Sequence, residues 1–171
     1  MYSNWYVIQV LAKNEYRLCG KINDRISREL FTECFVPQAE YVYKINGLIE
    51  KRIRPLFPGY IFVITDKVED FYESLRKIDG FKRILKEENF FTSISSEEAA
   101  FIAGVTDDEH STSMSEGYIL NSKIYITSGP LKGREGAIKK IDRHKRVAMV
   151  KVQLMGQPRL IRMPLEIVSK L

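Results

Sequence analysis

The 171-residue chain contains two cysteines, two histidines and a single tryptophan, and these scarcities remove whole classes of protein. Cys19 and Cys34 make no CxxC pair, and His110 and His144 add no zinc-ligand spacing, so no metal site is expected. The two thiols read as reduced and structural, because free cysteine packs as a small hydrophobe. No charge-free run approaches the roughly 18 apolar residues of a membrane helix. The opening MYSNWYVIQVLAKN has no basic leader, apolar h-region or small-residue cleavage site, so a cytoplasmic protein without a membrane partner is expected. GxSxG, P-loop and GxGxxG motifs are all missing, and no histidine adjoins a nucleophile motif. No enzyme and no cofactor is expected.

With 44% apolar residues, the chain can bury one ordinary core, or one core and a small second module. Its net charge of +5 is unevenly distributed. Residues 1–105 are neutral, residues 106–121 carry −4, and residues 122–171 carry +9, with twelve lysines and arginines against three acids. Such asymmetry speaks to partners more than to fold. The middle segment, TDDEHSTSMSEGYILN, is acidic and rich in serine and threonine, and it reads as a flexible linker. Three divisions follow: a domain over 1–105, a linker over 106–121 and a second domain over 122–171.

In the first division, WYVIQVL is apolar and β-branched, as an interior strand requires. A helix is predicted from Lys13 to Leu30, with Leu18, Ile22 and Ile26 on its apolar side and Lys13, Arg17, Lys21 and Arg25 on a basic one. YVYKINGLIEKRI alternates around Asn46-Gly47, which predicts a hairpin with a type I′ turn. Pro55 and Pro58 defer the next strand to Tyr60–Ile64. A second helix is predicted behind Asp66 as its cap, followed by a short edge strand at FKRIL and a last helix opened by the capping box Ser95–Glu98. Mixed hairpins and helices imply an α+β fold with an antiparallel sheet. After the linker, KIYIT, EGAIKKI, RVAMVKVQL, RLIRMP and EIV predict five short strands in a small β-barrel.

Gly129-Pro130-Leu131, Gly133, Gly136 and the alternating Ile138 and Ile141 resemble the KOW motif of small SH3-like barrels. WYVIQV, the charged first helix and RPLFPGYIFV resemble the NGN domain of NusG-type transcription elongation factors. NGN, linker and KOW in this order span essentially the whole chain. The resemblance implies an α+β NGN domain, an SH3-like barrel, RNA polymerase as partner and no catalysis.

It further implies that Phe57, Tyr60, Phe62 and Phe81 match aromatics that in relatives form an apolar pocket for the clamp helices of the largest polymerase subunit. Strand alternation puts Tyr60 and Phe62 on one face, opposite Ile61 and Val63, so one pair is core and the other is available to a partner. The stripe Lys13, Arg17, Lys21 and Arg25 matches the helix that approaches the non-template DNA strand. The hairpin 41–53 matches a tip that reaches toward the other large polymerase subunit. Met155-Gly156-Gln157 replaces the Phe-Gly-Arg loop that meets the termination factor Rho, which puts Rho recruitment in doubt. This departure and the +9 barrel suggest a specialised paralogue of the LoaP and RfaH antiterminator type.

The charge of the last segment also assigns RNA contact to Lys139, Lys140, Arg143, Lys145 and Arg146, joined by Arg159 and Arg162. A nascent leader-RNA hairpin is the expected ligand, a ribosomal protein is a further candidate partner, and a monomer is expected. The alternative is a ribosome-associated RNA-binding protein that uses KOW on the translation side, for which an NGN-like first domain would have no use.

Overall fold

A computed structural model describes residues 2–81 and 90–171. The strand expected at FKRIL lies, beyond Phe81, outside the described residues. The fold is α+β and divides into two compact units, one of residues 1–37 with 57–100, the other of 38–56 with 101–171.

The first unit is built on an antiparallel four-stranded sheet. Its strands are β1 (Trp5–Gln9), β2 (Glu33–Phe35), β5 (Tyr60–Ile64) and β6 (Phe91–Ser93), in the order β2-β5-β1-β6. Helix α1 (Glu15–Arg25) and helix α2 (Val68–Arg76) join one face of this sheet in a single core. Ile8, Val10, Ile61 and Val63 from the sheet pack there with Leu18, Ile22, Phe71 and Leu75 from the helices. Full burial of such side chains contributes about 1.5–3 kcal/mol each.

Helix α1 is shorter than its periodicity predicts. It begins at Glu15, because Lys13 has φ 79, and it ends at Arg25, where Ile26 turns extended before a 3₁₀ turn at Arg28–Leu30. Asp66 does not cap α2; the Lys67 N–H is instead accepted by Thr65 Oγ1 at 2.9 Å. The capping box of α3 (Ser96–Val105) forms as predicted. The Ser95 N–H donates to Glu98 Oε1 at 3.0 Å, and the Glu98 N–H donates to Ser95 Oγ at 3.1 Å.

The second unit contains the hairpin of β3 (Gln38–Ile45) and β4 (Leu48–Pro55), which sequence order places among the N-terminal elements. Asn46 and Gly47 have φ of 51 and 78, the positive values that a type I′ turn demands. Strand β7 (Ser111–Thr112) pairs parallel with β3, and Gln38 Nε2 donates to Ser111 Oγ at 2.8 Å.

The remaining strands are β8 (Ser115–Leu120), β9 (Lys123–Ser128), β10 (Ile138–Asp142), β11 (Val147–Leu154) and β12 (Gln157–Lys170), ordered β10-β11-β12-β8-β9. The number of strands agrees with the sequence reading, but their identity differs at both ends. Residues 106–121, expected as a flexible linker, contain β7 and β8. The polar composition hid them because Ser115, although buried, is held by a hydrogen bond from the Leu131 N–H at 3.0 Å. RLIRMP and EIV form a single strand, β12. It pairs antiparallel with β11 up to Pro164, then parallel with β8 from Leu165 onward. Among the described residues, no helix is long and apolar enough to cross a membrane.

Candidate functional site

The alternation of β5 separates two apolar faces. Ile61 and Val63 point into the core with α1 and α2, whereas Tyr60 and Phe62 point to the opposite face of the sheet. There Phe62 stacks on Phe35 with ring centroids 5.9 Å apart and tilts against Phe57 at 5.5 Å, while Trp5 meets Phe35 edge-on at 5.6 Å. Phe57 and Phe62 are therefore in contact, and the Tyr60 N–H donates to the Phe57 carbonyl at 3.2 Å. They are not open to solvent: Phe57 is 3%, Tyr60 7% and Phe62 0% exposed, so both pairs of β5 are buried. Phe81 is also fully buried and belongs to the other core, with α1 and α2, so the structure does not bring it to the aromatic face.

The turn that leads into β5 is fixed by a residue the sequence reading passed over. Glu15, at the first position of α1, is buried, and its Oε2 accepts a hydrogen bond from the Gly59 N–H at 2.9 Å. Gly59 has φ 88, and a Cβ there would lie 3.2 Å from the Val10 carbonyl oxygen, so both its conformation and its neighbour favour glycine. An acid at a helix start reads from sequence as an ordinary complement to the helix dipole, and nothing local signals a partner forty-four residues away.

On α1, Arg17, Lys21 and Arg25 recur every fourth residue, and Lys13 sits just before the helix. Lys13, Arg17 and Arg25 are exposed; Lys21 is half-buried and its ammonium reaches the Asp79 carbonyl at 3.3 Å. Arg17 donates to Asn14 Oδ1 at 3.2 Å. Three of the four predicted cations thus recur along α1, and Lys21 is tethered to its own unit.

The seven cations predicted in the second unit fall into three groups. Register aligns Lys140 with Met149 and Met149 with Arg162, so the two cations lie in one row across β10, β11 and β12, with both side chains exposed. Lys139 occupies the bulge beside Lys140 and is exposed as well. Arg143 and Lys145 project from the β10–β11 turn, which Asp142 closes by accepting the Lys145 N–H at 2.9 Å. That bond holds the Asp142 carboxyl below the usual carboxylate range. Arg146 and Arg159 stand apart. Arg146 Nε lies 2.8 Å from Glu166 Oε2, an ion pair that uses much of its charge, and Arg159 pairs with inward-facing Val152 and so lies on the face opposite Arg162.

The sequence reading missed two further features of this unit. Tyr118 and Tyr125 are cross-strand neighbours on β8 and β9, stacked 5.1 Å apart, with the Lys123 ammonium 5.5 Å from the Tyr125 ring. Lys139, Lys140 and Lys170 also rim a concavity of about 280 Å³ lined by Ile119, Ile124, Ile138 and Ile141. Neither shows in a one-dimensional charge count, because each is assembled by strand pairing.

The family described as "Transcription termination factor nusG" matches residues 3–103, and the KOW motif matches residues 121–155. The transcription termination/antitermination protein NusG of Vibrio parahaemolyticus is 25% identical, over 98% of this chain and 95% of its own length. NusG of Yersinia pestis is 27% identical over 90% and 88%, respectively. Among solved structures, one described as "Domain interaction in Thermotoga maritima NusG" superposes with a TM-score of 0.52 at 18% identity, covering 96% of this chain and 93% of the other, which supports the fold. With an antiparallel helix-backed sheet within the first match and strands β9, β10 and β11 within the second, the chain belongs to the NusG family of transcription factors.

Proposed function

We propose that this protein is a transcription elongation and antitermination factor whose N-terminal region, near residues 1–105, binds RNA polymerase, while its KOW region, near 122–171, contacts a structured leader RNA. The observation that carries the reading is the exposed row of Lys140 and Arg162 beside Lys139, Arg143 and Lys145, on the segment that holds nearly all of the basic excess. Arg146 and Arg159 play a smaller part, the first through its ion pair and the second through its facing.

Phe57, Tyr60 and Phe62 form the polymerase-binding face in this account. Lys13, Arg17, Lys21 and Arg25 then follow the non-template DNA strand, and the altered Met155-Gly156-Gln157 loop fits a specialised paralogue in place of a Rho-recruiting factor.

The test is titration of the full-length chain against a structured RNA at several salt concentrations. If about four to six phosphates are neutralised, log affinity falls with log salt at a slope of roughly −3 to −5. Lys140→Glu with Arg162→Glu should weaken binding and flatten that slope, whereas Arg159→Glu should do so less. Equal binding by the Lys140→Glu/Arg162→Glu protein and the parent would refute the assignment.

A further inference from the structure

The two cysteines, fifteen residues apart in sequence, meet in the first unit where α1 packs on β2. Cys19 Sγ lies 3.8 Å from Cys34 Sγ and 3.5 Å from the Cys34 carbonyl oxygen. Asn23, one turn along α1, clasps the pair: its Nδ2 donates to the Cys19 carbonyl at 3.0 Å, to the Cys34 carbonyl at 3.1 Å and to Cys19 Sγ at 3.5 Å. Two cysteines packed merely as small hydrophobes need no such polar neighbour on sulfur.

The geometry points to Cys19 and Cys34 as a reversible dithiol–disulfide site, oxidised by a small hydroperoxide and restored by a thiol reductant. A disulfide requires sulfurs about 2.05 Å apart. The observed 3.8 Å leaves a closure of roughly 1.8 Å. Each cysteine is 8% exposed, so the site suits a small oxidant better than a bulky disulfide such as oxidised glutathione.

The environment also separates the roles of the two sulfurs. Hydrogen bonds from the Cys34 thiol and from Asn23 hold the Cys19 thiol below its ordinary value, against the effect of burial. The same thiol–thiol hydrogen bond, together with burial, pushes the Cys34 thiol well up. Cys19 is therefore the attacking thiolate and Cys34 the resolving thiol.

The chemistry closes without another component. The Cys19 thiolate attacks one oxygen of hydrogen peroxide and the O–O bond breaks; Cys19 becomes a sulfenic acid, and the leaving hydroxide takes up a proton and departs as water. Cys34 sulfur then attacks Cys19 sulfur, the S–S bond forms, and the sulfenic hydroxyl leaves as a second water with the Cys34 proton. Two thiols lose two electrons and the peroxide gains two. The product ties α1, which carries Arg17, Lys21 and Arg25, covalently to the sheet.

The test uses the full-length protein, in which these are the only cysteines. After hydrogen peroxide treatment, intact mass should fall by two hydrogens, non-reducing peptide mapping should link the Cys19 and Cys34 peptides within a monomer, and dithiothreitol should reverse both. The cross-link closes a short loop and should raise Tm by roughly 5 °C or more. In Cys34→Ser, dimedone should trap a sulfenic acid at Cys19, and in Cys19→Ser, Cys34 should resist labelling, with circular dichroism confirming that each variant is folded. Oxygen addition without a cross-link in the parent, a disulfide only between molecules, or thiols that stay unmodified where a small exposed thiol is oxidised would each overturn the assignment.

Discussion

Glu15 Oε2 accepts the Gly59 N–H at 2.9 Å, and this one bond ties the start of α1 to the turn that launches the Tyr60–Ile64 strand. The carboxylate is buried, so its loss would leave the Gly59 N–H without its acceptor in a dry site. Glu15→Ala should cost about 1–3 kcal/mol of stability, and Glu15→Gln, which keeps an acceptor oxygen, should cost less. Urea unfolding of the two variants checks the order; equal losses would show that the acceptor is unimportant.

Gly129 makes a similar demand in the second unit. It has φ 95, and a Cβ there would sit 2.5 Å from Ser115 Cα and 2.6 Å from Ser115 Oγ. Gly129→Ala should destabilise the β8–β12 sheet by about 2–4 kcal/mol, from backbone strain and overpacking together. Gly136→Ala, whose Cβ meets nothing within 4 Å, should be close to neutral. Thermal melts of both proteins decide the point.

The Asp142 carboxyl, held below its usual range by the Lys145 N–H, makes the β10–β11 turn sensitive to acid. A folded-state value below the unfolded one, ordinarily about 3.9, stabilises the protein above that unfolded value. This contribution disappears as pH falls through the folded value. Asp142→Asn keeps an acceptor for Lys145 but cannot titrate. The difference in urea midpoint between parent and variant should therefore be larger at neutral pH than at pH about 3.

How much of this could be read from the sequence depended on whether the signal was local. The Asn46-Gly47 turn, the Tyr60–Ile64 strand and the Ser95–Glu98 capping box match the sequence reading because each is specified by neighbours along the chain. Helix α1 is shorter than its spacing predicts because Lys13 has a positive φ at one end and Ile26 turns extended at the other. The 106–121 segment reads as a linker because its polar composition masks its strands, and β7 and one edge of β8 are paired by the distant strands β3 and β12. Alternation separated Tyr60 and Phe62 from Ile61 and Val63 but could not show that both faces of β5 are buried. The Glu15–Gly59 bond and the Cys19–Cys34 pair are tertiary, with no local trace.

The exposed cations Lys13, Arg17 and Arg25 on and before α1 yield a separate prediction. Reversing Lys13, Arg17 and Arg25 to Glu should weaken binding to an elongation complex with an open DNA bubble more than binding to core polymerase free of nucleic acid. Comparing the two affinities at several salt concentrations would isolate the phosphate contribution. Equal losses would assign the stripe to protein contact.

The most direct measurement for the account as a whole is binding of the folded full-length chain to a purified RNA polymerase elongation complex, followed by size exclusion. The account predicts co-elution with the complex, and its reduction when Tyr60 and Phe62 are replaced by Leu, substitutions that keep the buried face apolar while removing its rings. A folded protein that elutes alone, in the presence of polymerase whose activity is verified, would contradict it.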